Sequence, residues 1–353
     1  APGLFLVLFP ALFFIYLVGI FVHELGHLIS ALAMGLKITL FASWPLMVVR
    51  TGRGFQLRHF NLPSPMLGLV AAFPRNVRHP AWKRGLYLCG GPMFSLLAAI
   101  GSLTLAYAVQ ESEFNLGSRG PIPFWNRLTV PRNGASALLF IISAVNLFFL
   151  IASLRPVPFK KFYTDGAAFL AVIRDRRLVV QTWLVEALSN VSLNGVRPRE
   201  LNKGFIQHLS VTHNGSAQDV AANFFGFYYF LDRGETDRAG ELIDLLAANR
   251  EKFDSRHQSY ALLEAAYFEA RHRHNAMAAR RWLDQAPKHG AEAQTYLRAE
   301  AAVLLAEGHS KEAAIIAKAA LIALPSSADK GGAIAEKEWL ESILAESESK
   351  LSG

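Results

Sequence analysis

Phe21-Val22-His23-Glu24-Leu25-Gly26-His27 is the stretch on which the reading of the whole chain turns. It spells H-E-x-x-H and interrupts a long apolar segment, with no charged residue in 4–22 or in 28–36. On a helix, His23 and His27 lie four residues apart and project from one face. That spacing suits two ligands of one zinc ion, with Glu24 beside them to act on water. The bland alternative is a chance motif whose histidines are satisfied by neighbouring helices. The setting weighs against it, because ionisable groups inside a membrane span are costly unless they face a partner, an ion or water.

The chain has 353 residues, room for about two domains. It is 52% hydrophobic, with a mean hydropathy of +0.24, and the apolar excess is concentrated in the first half. That pattern predicts a membrane domain followed by a soluble one. The formal charge of +8 reads as the loop bias of a membrane protein and not as a nucleic-acid footprint. A single cysteine, Cys89, excludes an intrachain disulfide framework or a cysteine metal site. The leading apolar run lacks a basic start and continues through the motif, so it reads as a span and not as a signal peptide.

Three uncharged runs reach the ~20 residues needed to cross a hydrocarbon core. They are 1–22, continuing helically to about Gly35, then 85–110 and 134–154. A shorter run, Met66–Phe73, is expected to re-enter the membrane or lie at its interface. The first loop carries Lys37, Arg50, Arg53, Arg58, Arg75, Arg78, Lys83 and Arg84 without an acidic residue. The second has Arg119, Arg127 and Arg132 against Glu111 and Glu113, and Arg155, Lys160 and Lys161 follow the third span. The positive-inside rule puts the first loop and everything after Leu154 in the cytoplasm. The expected location is a multi-pass position in a prokaryotic cytoplasmic membrane, with the lipid bilayer as partner and the C-terminal domain cytoplasmic.

Within the first loop, 37–41 and 46–50 are rich in β-formers, and Thr51-Gly52-Arg53-Gly54 is a turn signal before 55–58. A small β-sheet or hairpin near the membrane surface is expected. Its edge offers an extended peptide a strand to pair with, although a plain structural hairpin reads equally well. The second span opens with Cys89-Gly90-Gly91-Pro92, where small residues let helices approach and Pro92 marks a kink or the helix start. Asn146 is the polar outlier of the third span; it could bridge helices or reach the site. After Pro156 and Pro158, Thr164 or Asp165 could cap the next helix. Asp165 could instead be the third zinc ligand, since a catalytic site uses three protein ligands and an open position.

Beyond Asp175 the composition turns amphipathic, and 194–198 looks like a linker. The remainder is helical and Ala-rich. The stretches 231–239 and 305–313 share their Gly and Ala positions, and His274–Ala279 falls in a similar place between them. The offsets of 40 and 34 residues approach the ~34-residue period of tetratricopeptide (TPR) repeats, with an ordinary helical bundle as the alternative. His272 and His274 are expected to be surface residues.

Together, H-E-L-G-H in a first span, Gly90-Gly91-Pro92 in the second and Asp165-Gly166 after the third resemble the site-2 protease family of intramembrane zinc metallopeptidases. The likeness covers about residues 4–173. It implies His23, His27 and Asp165 as Zn2+ ligands and Glu24 as general base. It also implies Gly91, Pro92, Ser95, Asn146 and Ser153 as substrate-binding or supporting residues. Ser95 and Ser153 stand where the family often has asparagine. Asn146, two turns before Ser153 on the same face, could substitute in part, and the Pro156–Asp165 spacing is longer than in the family pattern. These departures bear on substrate handling more than on metal binding.

The expected fold is an α-helical membrane protein: three core transmembrane helices with a small β-hairpin insertion, then a soluble all-α TPR-like repeat domain. Residues 1–175 form the membrane-embedded metallopeptidase domain, 176–215 a helical linker and 216–353 the cytoplasmic repeat domain. The expected activity is endoproteolysis of a membrane-spanning or membrane-associated protein, with the tail docking substrate or a cytoplasmic protein partner. The alternative from another class is a catalytically idle membrane scaffold of the same fold whose repeats assemble a protein complex.

Overall fold

In the computed structural model the described residues are 2–51, 54–60, 67–116, 133–156, 158–159, 162–209, 216–287 and 290–352. Expectations placed on Gly52, Arg53, Met66, Arg119, Arg127, Arg132, Lys160 and Lys161 lie outside them. The chain divides into two compact units, 1–180 and 181–353.

The first unit is built on three apolar helices. Helix α1 spans Pro2–Ala33. It stops where Gly35 takes φ +67, a left-handed conformation that favours glycine. Leu36 N–H then donates to the Ala31 carbonyl at 2.9 Å and closes the last turn. Helix α2 spans Pro80–Leu116, and Pro92 lies well inside it, so it is not the helix start. Helix α3 spans Gly134–Leu154, the limits the uncharged run predicts. Asn133 caps it, accepting from Ser136 N–H at 2.6 Å while the Ser136 hydroxyl accepts from Asn133 N–H. The segments Phe9–Ala33, Pro80–Gln110 and Gly134–Leu154 are each long and apolar enough to cross a membrane. Their outward faces expose Phe14, Leu32, Leu97, Ile100 and Phe148, a surface that water penalises.

Inside, the helices touch at small residues. A Cβ on Gly26 would collide with the Gly90 carbonyl, and one on Gly90 with the Ser30 hydroxyl, so α1 and α2 meet backbone to backbone there. Ser143 of α3 donates to the Ala99 carbonyl of α2 at 2.8 Å. Tyr16 and Phe149 pack with ring centroids 5.1 Å apart.

Between α1 and α2 the chain forms four strands: β1 (Lys37–Ser43), β2 (Leu46–Thr51), β3 (Gly54–His59) and β4 (Gly68–Phe73). They make one antiparallel sheet in the order β3-β2-β1-β4. The segments 37–41, 46–50 and 55–58 fall in β1, β2 and β3, and β4 completes the sheet. The run ending at Phe73, expected to re-enter the membrane or lie at its interface, is instead β4, paired with β1 from Lys37↔Phe73 to Ser43↔Gly68. Six residues are too few to span a bilayer but match a strand, and their partner lies about thirty positions back, beyond the reach of local pattern. Tyr87 of α2 ties this strand down, its hydroxyl donating to the Val70 carbonyl at 2.5 Å.

After α3, Pro158–Phe159 pairs with Phe162–Tyr163 and leads into α4 (Asp165–Arg174). The cap of α4 is Thr164, whose hydroxyl accepts from Ala167 N–H at 3.3 Å and donates to the Arg155 carbonyl at 2.5 Å. A Cβ on Gly166 would run into the Leu154 backbone, so α4 begins against the end of α3. These contacts set the position of Asp165.

The second unit is helical. Its helices are the remainder of α5 (Arg176–Leu193), α6 (Lys203–Leu209), α7 (Ala217–Asp232), α8 (Thr236–Ala248), α9 (Ser255–Arg271), α10 (Ala276–Gln285), α11 (Ala293–Ala306), α12 (Ser310–Ala323) and α13 (Lys330–Ser352). The segment expected as a linker is mostly part of this unit and carries α6. Helices α7 and α8, α9 and α10, and α11 and α12 pack in consecutive pairs. Gly234, His274 and Gly308 stand at the three intervening turns with φ of +73, +53 and +88. Glu235 N–H donates to the Phe230 carbonyl and His309 N–H to the Leu304 carbonyl, both at 2.9 Å. The core is built from Phe227, Ile243, Leu263, Phe268, Leu305 and Ile343.

Candidate metal centre

His23 and His27 share the inner face of α1 and are buried. Asp165, delivered by the start of α4, closes over them. Its Oδ2 lies 3.0 Å from His23 Nε2 and its Oδ1 3.3 Å from His27 Nε2. One ligand atom from each of the three residues lies within 4.8 Å of the others. The group could hold a metal ion. Tetrahedral ligands bonded at ~2.0–2.2 Å stand roughly 3.3 Å apart, close to the spacings seen here.

The other ring nitrogens are already engaged. His23 Nδ1 lies 2.9 Å from the Ser95 hydroxyl. His27 Nδ1 lies 2.9 Å from the Tyr87 carbonyl. The Gly91 N–H also faces His27 Nδ1, at 3.4 Å, and its Nε2 faces Asp165. Each imidazole is thus aimed by α2 at the same point. Burial pushes the Asp165 carboxyl up, but the adjoining His27 and His23 hold it well below the usual carboxylate range. It remains an anion, the state a metal ligand needs.

A second observation bears on fit. A Cβ built on Gly91 would stand 2.5 Å from His23 Nε2 and nearer still to His27 Nε2. The space beside the converging nitrogens therefore depends on the absence of a side chain at this position. Carboxylate and imidazole donors with room between them suit a divalent cation.

Glu24 is buried next to His23 in sequence, and β4 passes beside it. A Cβ on Gly68 would come within 2.6 Å of Glu24 Oε1. Among the described residues β4 is the last strand of the sheet order, next to β1, and the carboxylate sits beside its start.

Of the residues singled out from sequence, the structure brings together His23, His27, Asp165, Ser95 and Gly91. Asp165 is not the cap of α4; Thr164 takes that role. Pro92 is buried in α2 directly after Gly91 and has no N–H to donate. Asn146 and Ser153 bond within their own helix instead. Asn146 Nδ2 donates to the Ile142 carbonyl at 2.9 Å and Ser153 to the Leu150 carbonyl at 3.1 Å. Asn146 Oδ1 is buried without a partner among the described residues. Two participants escape a motif reading, the Tyr87 carbonyl and Gly68. Tyr87 acts through its main chain, and Gly68 through a missing side chain on a strand that only the fold brings near.

No protein-family model, no curated protein and no solved structure matches the chain.

Proposed function

We propose that the chain is an intramembrane zinc-dependent endopeptidase of the site-2 protease type, cleaving a membrane-spanning or membrane-associated protein. The observation that carries the proposal is the meeting of His23 Nε2, His27 Nε2 and Asp165 with Glu24 alongside, on a helix long and apolar enough to cross a bilayer. Zinc held by His23, His27 and Asp165 would polarise the scissile carbonyl and make water nucleophilic near neutral pH.

Glu24 takes the proton from the attacking water as oxygen adds to the carbonyl carbon. It then delivers that proton to the departing nitrogen as the C–N bond breaks. Ser95 and the Tyr87 carbonyl keep both imidazoles aimed during the reaction. A membrane-spanning substrate must expose backbone to be cut, and unpaired backbone groups are costly in lipid. An extended substrate segment would lie beside Glu24, where Gly68 of β4 carries no side chain. The basic loops support a metal centre toward the cytoplasmic side, with the paired helices of the second unit as a TPR-like docking tail in the cytoplasm.

Replacing Glu24 by Gln tests this reading. The variant should retain zinc near one per chain and lose at least a thousandfold in cleavage of a co-expressed single-span substrate. Cleavage at the wild-type rate would exclude Glu24 as the base. A stable stoichiometric complex that the wild-type chain never cleaves would favour the idle scaffold.

A further inference from the structure

Four alternate helices of the second unit each send one polar side chain to the same place. These are Tyr228 of α7, Glu264 of α9, Arg298 of α11 and Glu336 of α13, and they line a cavity of about 340 Å3. They follow one another at 36, 34 and 38 residues. Arg298 Nη2 donates to Glu264 Oε1 at 2.5 Å and Nε to Glu336 Oε1 at 3.0 Å. The Tyr228 hydroxyl donates to Glu264 Oε1 at 2.8 Å. Glu264 and Arg298 are essentially without solvent contact, at 0% and 1% exposure.

Two features of this floor are unfinished. Glu264 Oε2 and Arg298 Nη1 are buried with no partner among the described residues, and orphaned buried polar atoms are expensive. One guanidinium also stands between two carboxylates, and a buried excess of negative charge is costly. The walls extend the imbalance. The cavity is lined by Glu264, Glu292, Asp329 and Glu336 against Arg256 and Arg298, four carboxylates against two guanidinium groups. Phe224, Tyr260 and Trp339 give it aromatic sides, which accept alkyl stems and cations. Burial pushes the Glu336 carboxyl up, the direction a nearby added cation would reverse.

We propose that this cavity binds an extended peptide segment of a protein partner, taking a lysine or arginine side chain against Glu264 and Glu336. A peptide carbonyl of the same segment satisfies Arg298 Nη1. The orphaned donor and the orphaned acceptor together call for a ligand with both groups, which a peptide supplies and a free cation does not. The inference rests on the docking role proposed above for the tail and is independent of the peptidase chemistry.

The test uses the full chain in detergent micelles with EDTA present, so that the metal centre takes no part. Three fluorescent nonapeptides of alternating serine and alanine, with lysine, glutamine or glutamate at the centre, are titrated by polarisation, with spermidine as competitor. The lysine peptide should bind at least tenfold tighter than its glutamine twin, and the glutamate peptide more weakly still. Glu336→Gln and Ala333→Trp, the second filling the cavity from its wall, should each weaken the lysine peptide at least tenfold without moving the melting temperature by more than a few degrees. Equal binding of the lysine and glutamine peptides, or wild-type affinity in both variants, would overturn the proposal. Spermidine binding more tightly than the lysine peptide would assign the site to a free polyamine and overturn it too. Loss of peptide binding alongside intact Glu24-dependent cleavage sinks the docking inference alone. Retained binding without cleavage sinks the peptidase reading alone.

Discussion

A Cβ at position 91 would stand 2.5 Å from His23 Nε2, in the space that a shared ion needs. Gly91→Ala should therefore cut bound zinc, measured by elemental mass spectrometry, to less than about a tenth of wild type while the fold persists. Zinc near one per chain in that variant would show that the ion lies elsewhere. Individual residues differ in how far sequence disclosed them. His23, Glu24 and His27 were legible because a four-residue spacing on a helix has one geometric meaning. Asp165 was left between cap and ligand, because both roles suit an aspartate at a helix start. The Thr164 hydroxyl on Ala167 N–H at 3.3 Å and the Asp165 carboxylate against both histidines separate the two. The Tyr87 carbonyl could not be read at all, since every residue has one.

At the scale of elements, α4 is a delivery arm. Thr164 holds its start through the Arg155 carbonyl and Ala167 N–H, and Asp165 is the next residue. Thr164→Ala should cost about 1 kcal/mol of stability, the usual worth of a helix cap. It should also weaken zinc several-fold in a competition titration with a chromogenic chelator, since the third ligand loses its mount. Unchanged zinc affinity would mean that Asp165 is held by the α3–α4 contact alone. The spans were readable from their uncharged runs, and the limits of α3 follow the sequence to the residue. Strand β4 was not, because its pairing partner β1 is distant and its six residues carry no periodicity of their own. The strand beside Glu24 is thus a product of topology, not of local sequence.

Across the whole molecule, the two units carry separable properties. In the second, His272 packs on Phe268 with ring centroids 5.0 Å apart; it is not the surface residue its basic neighbourhood suggested. Burial pushes its pKa down to about 4, with Arg271, His274 and Arg298 adding to the effect. The unfolded chain binds this proton near pH 6.5. The unfolded state therefore holds more protons between those values, and stability falls as pH drops. Thermal melts should show the loss starting below about pH 6.5 and continuing toward 4, on the order of 1–2 kcal/mol for this group because part of the ring meets solvent. His272→Phe should flatten that slope, and an unaltered slope would assign the acid sensitivity to other groups. The repeat-like turns were visible in sequence through Gly234 and Gly308. The third was placed between them at His274–Ala279 without a glycine, and there His274 takes the positive φ.

Purified chain reconstituted in liposomes with a single-span substrate gives the most direct measurement, cleavage scored by gel with and without a zinc chelator. A metal centre at His23, His27 and Asp165 requires cleavage that stops with the chelator and returns when about one zinc per chain is restored. Cleavage that continues in metal-free protein would contradict it.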